Sequence, residues 1–376
     1  MFKILKNTLA VILTAVLCLS FAGCHKANET AVTIGENTFS SGYYACAYFF
    51  ADMQARSKVA SDLGNSATDD TKYWTYKVED TDYSEWVKNK ALDLCRTAAF
   101  YRGKCKENNI SVSDSEKMAA TLADSMWNTD YTTELTFGEL MELNGVSKST
   151  YVTFMVDIGT QIDSSWTTYY GFVDRIASYF EFLYLNGGER ALSDEQIVNE
   201  LKENYVWVNA LSKDISSMGD DEIATETQKM EEYVKRIKNG TNFSVINAEV
   251  NPQSTSTTDN KDQEVTGIFD VNSAQVWHND SENYPYYSYA ADMANGEAKV
   301  VTVESGGKKT TLLLLVKNDI LSSDNTKIED LKKSAVYNLK YSEYTEEMKN
   351  NISALEISEN TSSTKVFKVK KVKYKK

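Results

Sequence analysis

At Tyr205 the hydrophobic period of the chain changes, and that change sets what it can fold into. Upstream, apolar residues recur at three- and four-residue intervals, the spacing of one helix face. Val87, Ala91, Leu94, Ala98 and Tyr101 line one such face, and Tyr44, Tyr48 and Ala51 another. Val32–Ser40 reads as two short strands around a turn, with Ser40 or Ser41 capping the helix that follows. Residues 58–80 read as a loop or an interrupted hairpin. Asp82-x-x-Glu85, Ser113-x-x-Glu116 and Ser193-x-x-Gln196 have the spacing of capping boxes. Helical spacing also covers Thr136–Leu143 and Lys148–Leu185, the latter kinked at Gly159 or Gly171. Tyr205–Leu211 is strand-like. An amphipathic helix then runs from Asp221 to Lys238, closed by Asn239-Gly240. Phe243–Val250 is a short helical piece, and residues 251–264 are a solvated loop. A short helix follows Tyr284-Pro285 and ends near Asn295-Gly296. Lys299–Val303 and Thr310–Val316 flank Ser305-Gly306-Gly307-Lys308 as a hairpin. Helical spacing returns from Lys327 to Leu355, and Lys365–Tyr374 reads as a closing strand with lysines on both faces. The expected class is α+β: a mainly helical domain, residues 32–204, rejoined by residues 327–376 after an inserted α+β domain, residues 205–320.

The N-terminus has a separate purpose. Lys3 and Lys6 precede an uncharged, mostly apolar run from Leu9 to Phe21, then Ala22-Gly23-Cys24. This is the order of a secretory signal peptide, and the run is too short to span a bilayer, which takes about 20 residues. A cysteine straight after Ala-Gly marks a lipoprotein signal, residues 1–23, with Cys24 as the lipidated N-terminus and residues 24–31 as its tether. Two or more acyl chains hold a protein stably at a membrane. The expected location is extracytoplasmic, lipid-anchored to the cell membrane.

Formal charge is −14, which argues against a nucleic-acid partner. The charge is uneven. Residues 365–376 hold seven lysines and no acid; without them, 33 basic residues face 54 acidic ones, a balance of −21. The basic end suits either contact with an anionic envelope polymer or lipid through Lys365–Lys376, or solvated lysines guarding a sheet edge. Of the five cysteines, Cys18 leaves with the signal peptide and Cys24 takes the lipid. Cys46, Cys95 and Cys105 read as small buried hydrophobes.

A family resemblance rests on several segments. Val32-Thr33-Ile34-Gly35-Glu36, the helix from Ala91 ending in Ile110-Ser111-Val112-Ser113-Asp114, and Leu192-Ser193-Asp194-Glu195-Gln196-Ile197 with Asn204-Tyr205 are three. Ile237-Lys238-Asn239-Gly240-Thr241-Asn242-Phe243, and Asn295-Gly296-Glu297 before the hairpin, are two more. In this order they resemble the extracytoplasmic foldases of the PrsA and SurA type. The resemblance implies a SurA/trigger-factor-like chaperone domain carrying a parvulin-like peptidyl-prolyl isomerase domain. It also implies partners that are unfolded or extended exported polypeptides, held in a cleft between the two domains.

The chain departs from that family where chemistry is concerned. The resemblance implies a histidine on the first strand of the inserted domain, where this chain has Asn209, and another on the last strand, where Lys309–Lys317 has none. No cysteine lies in residues 244–270. His25 adjoins the lipid, and His278 reads as lying in a loop. Isomerising a prolyl bond lowers a barrier of ~20 kcal/mol, and the inserted domain reads as degenerate for that work. The expected function is a membrane-anchored chaperone without efficient isomerase catalysis. The alternatives are an active isomerase with an altered site, or an envelope scaffold lipoprotein. No catalytic residue is assigned. The candidate peptide-binding residues are Asn209, Tyr284, Tyr286 and Tyr287, although the tyrosines equally suit a helix start packing on its own sheet. With two histidines, solvated acids and no phosphate loop, no metal or other cofactor is expected.

Overall fold

The computed structural model describes residues 28–64, 71–132, 135–162, 173–185, 187–250, 275–279, 285–322 and 327–374. Cys24 and Tyr284 lie outside them. The architecture is α+β. Strands β1 (Thr30–Ile34) and β2 (Asn37–Ser40) lead into helices α1 (Ser41–Leu63), α2 (Tyr83–Glu107), α3 (Ser113–Trp127), α4 (Phe137–Leu143), α5 (Lys148–Ile162), α6 (Arg175–Tyr184) and α7 (Asp194–Asn204). Then come β3 (Tyr205–Asp214), α8 (Asp220–Lys238), α9 (Phe243–Val250), β4 (Gln275–His278), α10 (Tyr287–Ala291), β5 (Ala298–Ser305) and β6 (Lys308–Asn318). The long helix α11 (Ile328–Ser353) and the short strand β7 (Ser358–Glu359) follow. The chain divides into two compact units, Met1–Ala191 with Ser342–Lys376, and Leu192–Tyr341. The boundary falls within α11.

In the first unit, β1 pairs antiparallel with both β2 and β7. Helix α1 is apolar on every side in its first three turns, and Ser41–Asp52 is buried throughout, as such a helix must be. Ser40 caps it, its hydroxyl accepting from Tyr43 N–H at 3.2 Å. Tyr43, Phe50 and Phe154 form one aromatic run of the core, and Tyr101, Phe180 and Tyr344 another. Tyr344 comes from the second half of α11 and donates its hydroxyl to Ile176 O at 3.3 Å. Helix α5 bends at Ile158, whose φ of −148° and ψ of 22° are not helical. Cys46, Cys95 and Cys105 are free and buried, and burial pushes all three thiols up.

Two caps differ from the sequence reading. Asp82 precedes α2 without a capping hydrogen bond, because it is held as the last residue of a small hairpin, opposite Lys77. Ser113 is the first residue of α3 rather than its cap. The closing strand expected at Lys365–Tyr374 is also corrected. After β7 the chain makes a short helix, Thr361–Thr364, and a 3-10 turn, Val369–Lys371. Packing overrides the alternation. Phe367 stands against Tyr44 and Tyr48, Val369 is buried, and Tyr374 stacks on Phe49. With no strand there, the lysines guard no sheet edge.

Buried carboxylates tie this unit together. Asp52 accepts from Arg56, Tyr83 and Tyr374. Asp157 accepts from Arg102, Arg175 and the Tyr43 hydroxyl. Asp174 caps α6, accepting from Ala177 N–H at 2.9 Å and from the backbone and hydroxyl of Thr160. Burial raises the Asp174 carboxyl to about 6, against the pull of these donors. A carboxyl with a raised folded pKa stabilises fully below its unfolded value and loses that contribution as pH rises through the folded one. Relative to Asp174→Asn, the wild-type chain is therefore expected to lose on the order of 3 kcal/mol between about pH 4 and pH 7. Urea unfolding of both proteins across that range checks it; a difference that does not change with pH contradicts it.

In the second unit, the Ser193–Gln196 capping box opens α7 as its spacing predicts. The sheet is antiparallel, in the order β4-β3-β6-β5. Gly306 and Gly307, with φ of 58° and 75°, make the tight turn between β5 and β6 that two positive φ values require. Alternate side chains of β3 and β6 enter two cores. Leu211, Leu312, Leu314 and Val316 pack with Ile223, Met230 and Val234 of α8 and with Phe243 and Ile246 of α9. Val206, Val208, Ala210, Leu313 and Leu315 pack with Trp277, Ala290 and Met293.

Candidate functional site

The central strand β3 carries Asn209, half-buried and opposite Val316 of β6. Alternation puts it on the face of Leu211 and Val316, toward α8 and α9. Its side-chain N–H donates to Asn318 Oδ1 at 3.4 Å. Asn318 is the last residue of β6, one position beyond the Lys309–Lys317 segment. The closing strand therefore does offer Asn209 a partner, an amide in place of an imidazole. The Nδ2 of Asn318 is buried and has no hydrogen-bond partner among the described residues.

Tyr286 and Tyr287 belong to the opposite face. They pack on the cluster of Val206, Val208 and Trp277. The Tyr286 and Trp277 rings meet at 6.2 Å, and the Tyr287 hydroxyl donates to Glu203 O at 2.9 Å. The sheet thus separates Asn209 from these two tyrosines.

His278 is corrected from a loop to the sheet. It ends β4, opposite Tyr205 of β3, with the two rings 4.6 Å apart. Asn338 of α11 donates to the Tyr205 hydroxyl at 2.6 Å and lies 3.1 Å from His278 Nε2. Strand β4, Gln275–His278, is too short to show a period, which is why the sequence pattern misses it. Tyr205 lies four residues from Asn209 along β3, about 13 Å at strand rise. His278 therefore does not supply Asn209 with an imidazole neighbour.

A second feature, in the first unit, is a groove of about 620 Å³ between α3 and α5. Glu116, Ala120 and Asp124, spaced i, i+4 and i+8, form one wall, and Lys148, Val152 and Val156, with the same spacing, form the other. The floor is apolar. Asp124 and Lys148 form an ion pair at one end, and Arg175 stands with Glu116 and Val156 among the lining residues. The sequence holds the signal, two helix faces with an apolar centre and charged ends, but a partly polar face on each reads as solvated.

Among the described residues no cluster of His, Cys, Asp or Glu has the makings of a metal site, and no helix is long and apolar enough to cross a membrane. No protein-family model matches the chain, and no curated protein matches it. Among solved structures, it is similar to the 3.10 Å crystal structure of foldase protein PrsA from Lactococcus lactis, at 12% identity and a TM-score of 0.37, over 89% of this chain and 96% of that one.

Proposed function

We propose that this chain is an extracytoplasmic chaperone, lipid-anchored through Cys24, that holds extended segments of unfolded exported polypeptides without efficient prolyl isomerisation. The groove between α3 and α5 is the observation that carries the reading. Its lining runs over eight residues of helix, about 12 Å, which matches three or four residues of extended chain. Ala120, Val152 and Val156 receive one or two apolar side chains, and the charged ends meet the polar backbone and flanking residues. Contacts of that size exchange quickly, which is what a holding chaperone needs. The basic segment Lys365–Lys376 faces the anionic polymer or lipid of the envelope in this reading.

The test is suppression of aggregation of a denatured client, followed by light scattering. Val152 is half-buried in the groove wall, so Val152→Glu puts a charge in the apolar floor with little demand on the core. It is expected to weaken suppression at least several-fold. Suppression unchanged by Val152→Glu contradicts the assignment of the groove.

A second reading, an isomerase with an altered site, is favoured by one observation. The Asn209–Asn318 amide pair sits on a sheet face with the Asn318 Nδ2 buried and unpartnered, and such a group calls for a structural or a chemical reason.

A further inference from the structure

The corrected C-terminal tail builds a cavity. Its course past α1 and α2 encloses about 560 Å³, lined by Tyr44, Tyr48, Lys88 and the tail residues Lys365, Phe367, Lys368 and Lys370. Tyr44, Tyr48 and Phe367 bring three aromatic rings to it, with centroids 5.3–6.1 Å apart. Four lysines line it, and the side chains of Lys365, Lys368 and Lys370 are exposed. The one acid in the lining, Glu359, is neutralised by Lys88 Nζ at 2.9 Å and accepts from the Thr364 hydroxyl.

Tyr44 is the informative residue. It is 1% exposed, yet its hydroxyl makes no hydrogen bond to any described residue, while the neighbouring Tyr48 hydroxyl accepts from Val369 N–H. Burial, then the nearby Cys95, Glu359 and Tyr48, hold the Tyr44 phenol far above its ordinary value, so it stays a neutral donor. The Tyr44 ring is buried but its hydroxyl opens on the cavity, where no described residue bonds it, so it is available to a ligand there.

We propose that this cavity binds a phosphorylated polyol, glycerol phosphate or a sugar phosphate. Lysines are compact point charges suited to phosphate, whereas a single carboxylate is better met by the planar fork of an arginine. Among the described residues the lining contains no arginine. Three lysines in excess of the one acid call for a dianion or a repeated phosphate. The ring faces take the C–H edge of the polyol, and the hydroxyls of Tyr44, Ser84 and Thr361 take its oxygens. The proposal deepens the reading of the basic tail as a polyanion contact by giving it a built site. Two sources carry this chemistry, the headgroup of an anionic lipid and a glycerol-phosphate polymer.

The test is calorimetric titration of the full-length chain in neutral detergent with glycerol phosphate, dihexanoyl-phosphatidylglycerol, poly(glycerol phosphate) and AMP. Saturable binding of a glycerol-phosphate probe is expected, weakened about tenfold or more by Lys368→Glu with Lys370→Glu, and several-fold by Tyr44→Phe. The lipid and polymer arms identify the source. Lys371→Glu makes the charge change of one of these two substitutions on an exposed tail residue outside the lining and is expected to bind as wild type does. Loss of affinity in Lys371→Glu as large as in the lysine pair overturns the cavity while leaving a diffuse tail–polymer contact intact. Tighter binding of AMP than of every glycerol-phosphate probe overturns the ligand class, and no binding of any probe overturns both.

Discussion

Asp157→Ala is expected to destabilise the first unit by about 3–5 kcal/mol, the cost of breaking a buried ion pair by removing one partner. The carboxylate is 1% exposed and takes Arg102 at 2.6 Å, Arg175 at 2.9 Å and the Tyr43 hydroxyl at 2.9 Å. These partners tie α1, α2 and α6 to α5 just before its bend at Ile158. Arg102 is also packed over the rings of Phe39 and Tyr43, at 4.8 and 5.1 Å, so it cannot swing out to water when its partner goes. Alanine leaves two largely buried guanidiniums without a counter-charge. Asp157→Asn keeps an acceptor and is expected to lose less. Glu36→Ala removes an ion pair with Lys106 in which both side chains are at least 80% exposed, and no measurable change is expected there. Urea unfolding followed by circular dichroism gives the comparison. A loss in Asp157→Ala no larger than in Glu36→Ala contradicts this account of the core.

How legible these features are in the sequence depends on how local their cause is. Ser193-x-x-Gln196 forms its capping box because nothing else claims either side chain. Asp82-x-x-Glu85 has the same spacing and fails because a hairpin holds Asp82 first. The change of period at Tyr205 locates the sheet, since β3 and β6 alternate strictly between two cores. Strand β4 is invisible because four residues show no period, and with it goes the place of His278. The tail misleads for the opposite reason. Phe367, Lys368, Val369 and Lys370 alternate like a strand, while Phe367 and Tyr374 pack on the rings of α1 instead. Asp52 and Asp157 carry a signal that is readable in hindsight. Each is a lone acid inside a long apolar run, Tyr43 to Asp52 and Val152 to Gly159, and a charge there must be buried and paired. The pairing itself, at separations of 55 and 322 residues for Arg102 and Tyr374, belongs to the tertiary structure alone.

Asn209 is the residue on which catalysis turns. An amide pair on the sheet can order a polar group, but prolyl isomerisation asks for a polarised network around the peptide, and among the described residues the imidazole of His278 lies opposite a residue four positions along the strand, roughly 13 Å away. A prolyl bond left alone still isomerises in tens of seconds, so a holding chaperone can wait for it. The most direct measurement is the refolding of an aggregation-prone client whose slow phase is limited by Xaa-Pro isomerisation, with this chain at equal concentration. The recovered yield is expected to rise while the slow-phase rate constant stays at its uncatalysed value. A rate constant many-fold above that value, returning to it with Asn209→Ala, or a yield no higher than without the chain, contradicts the account.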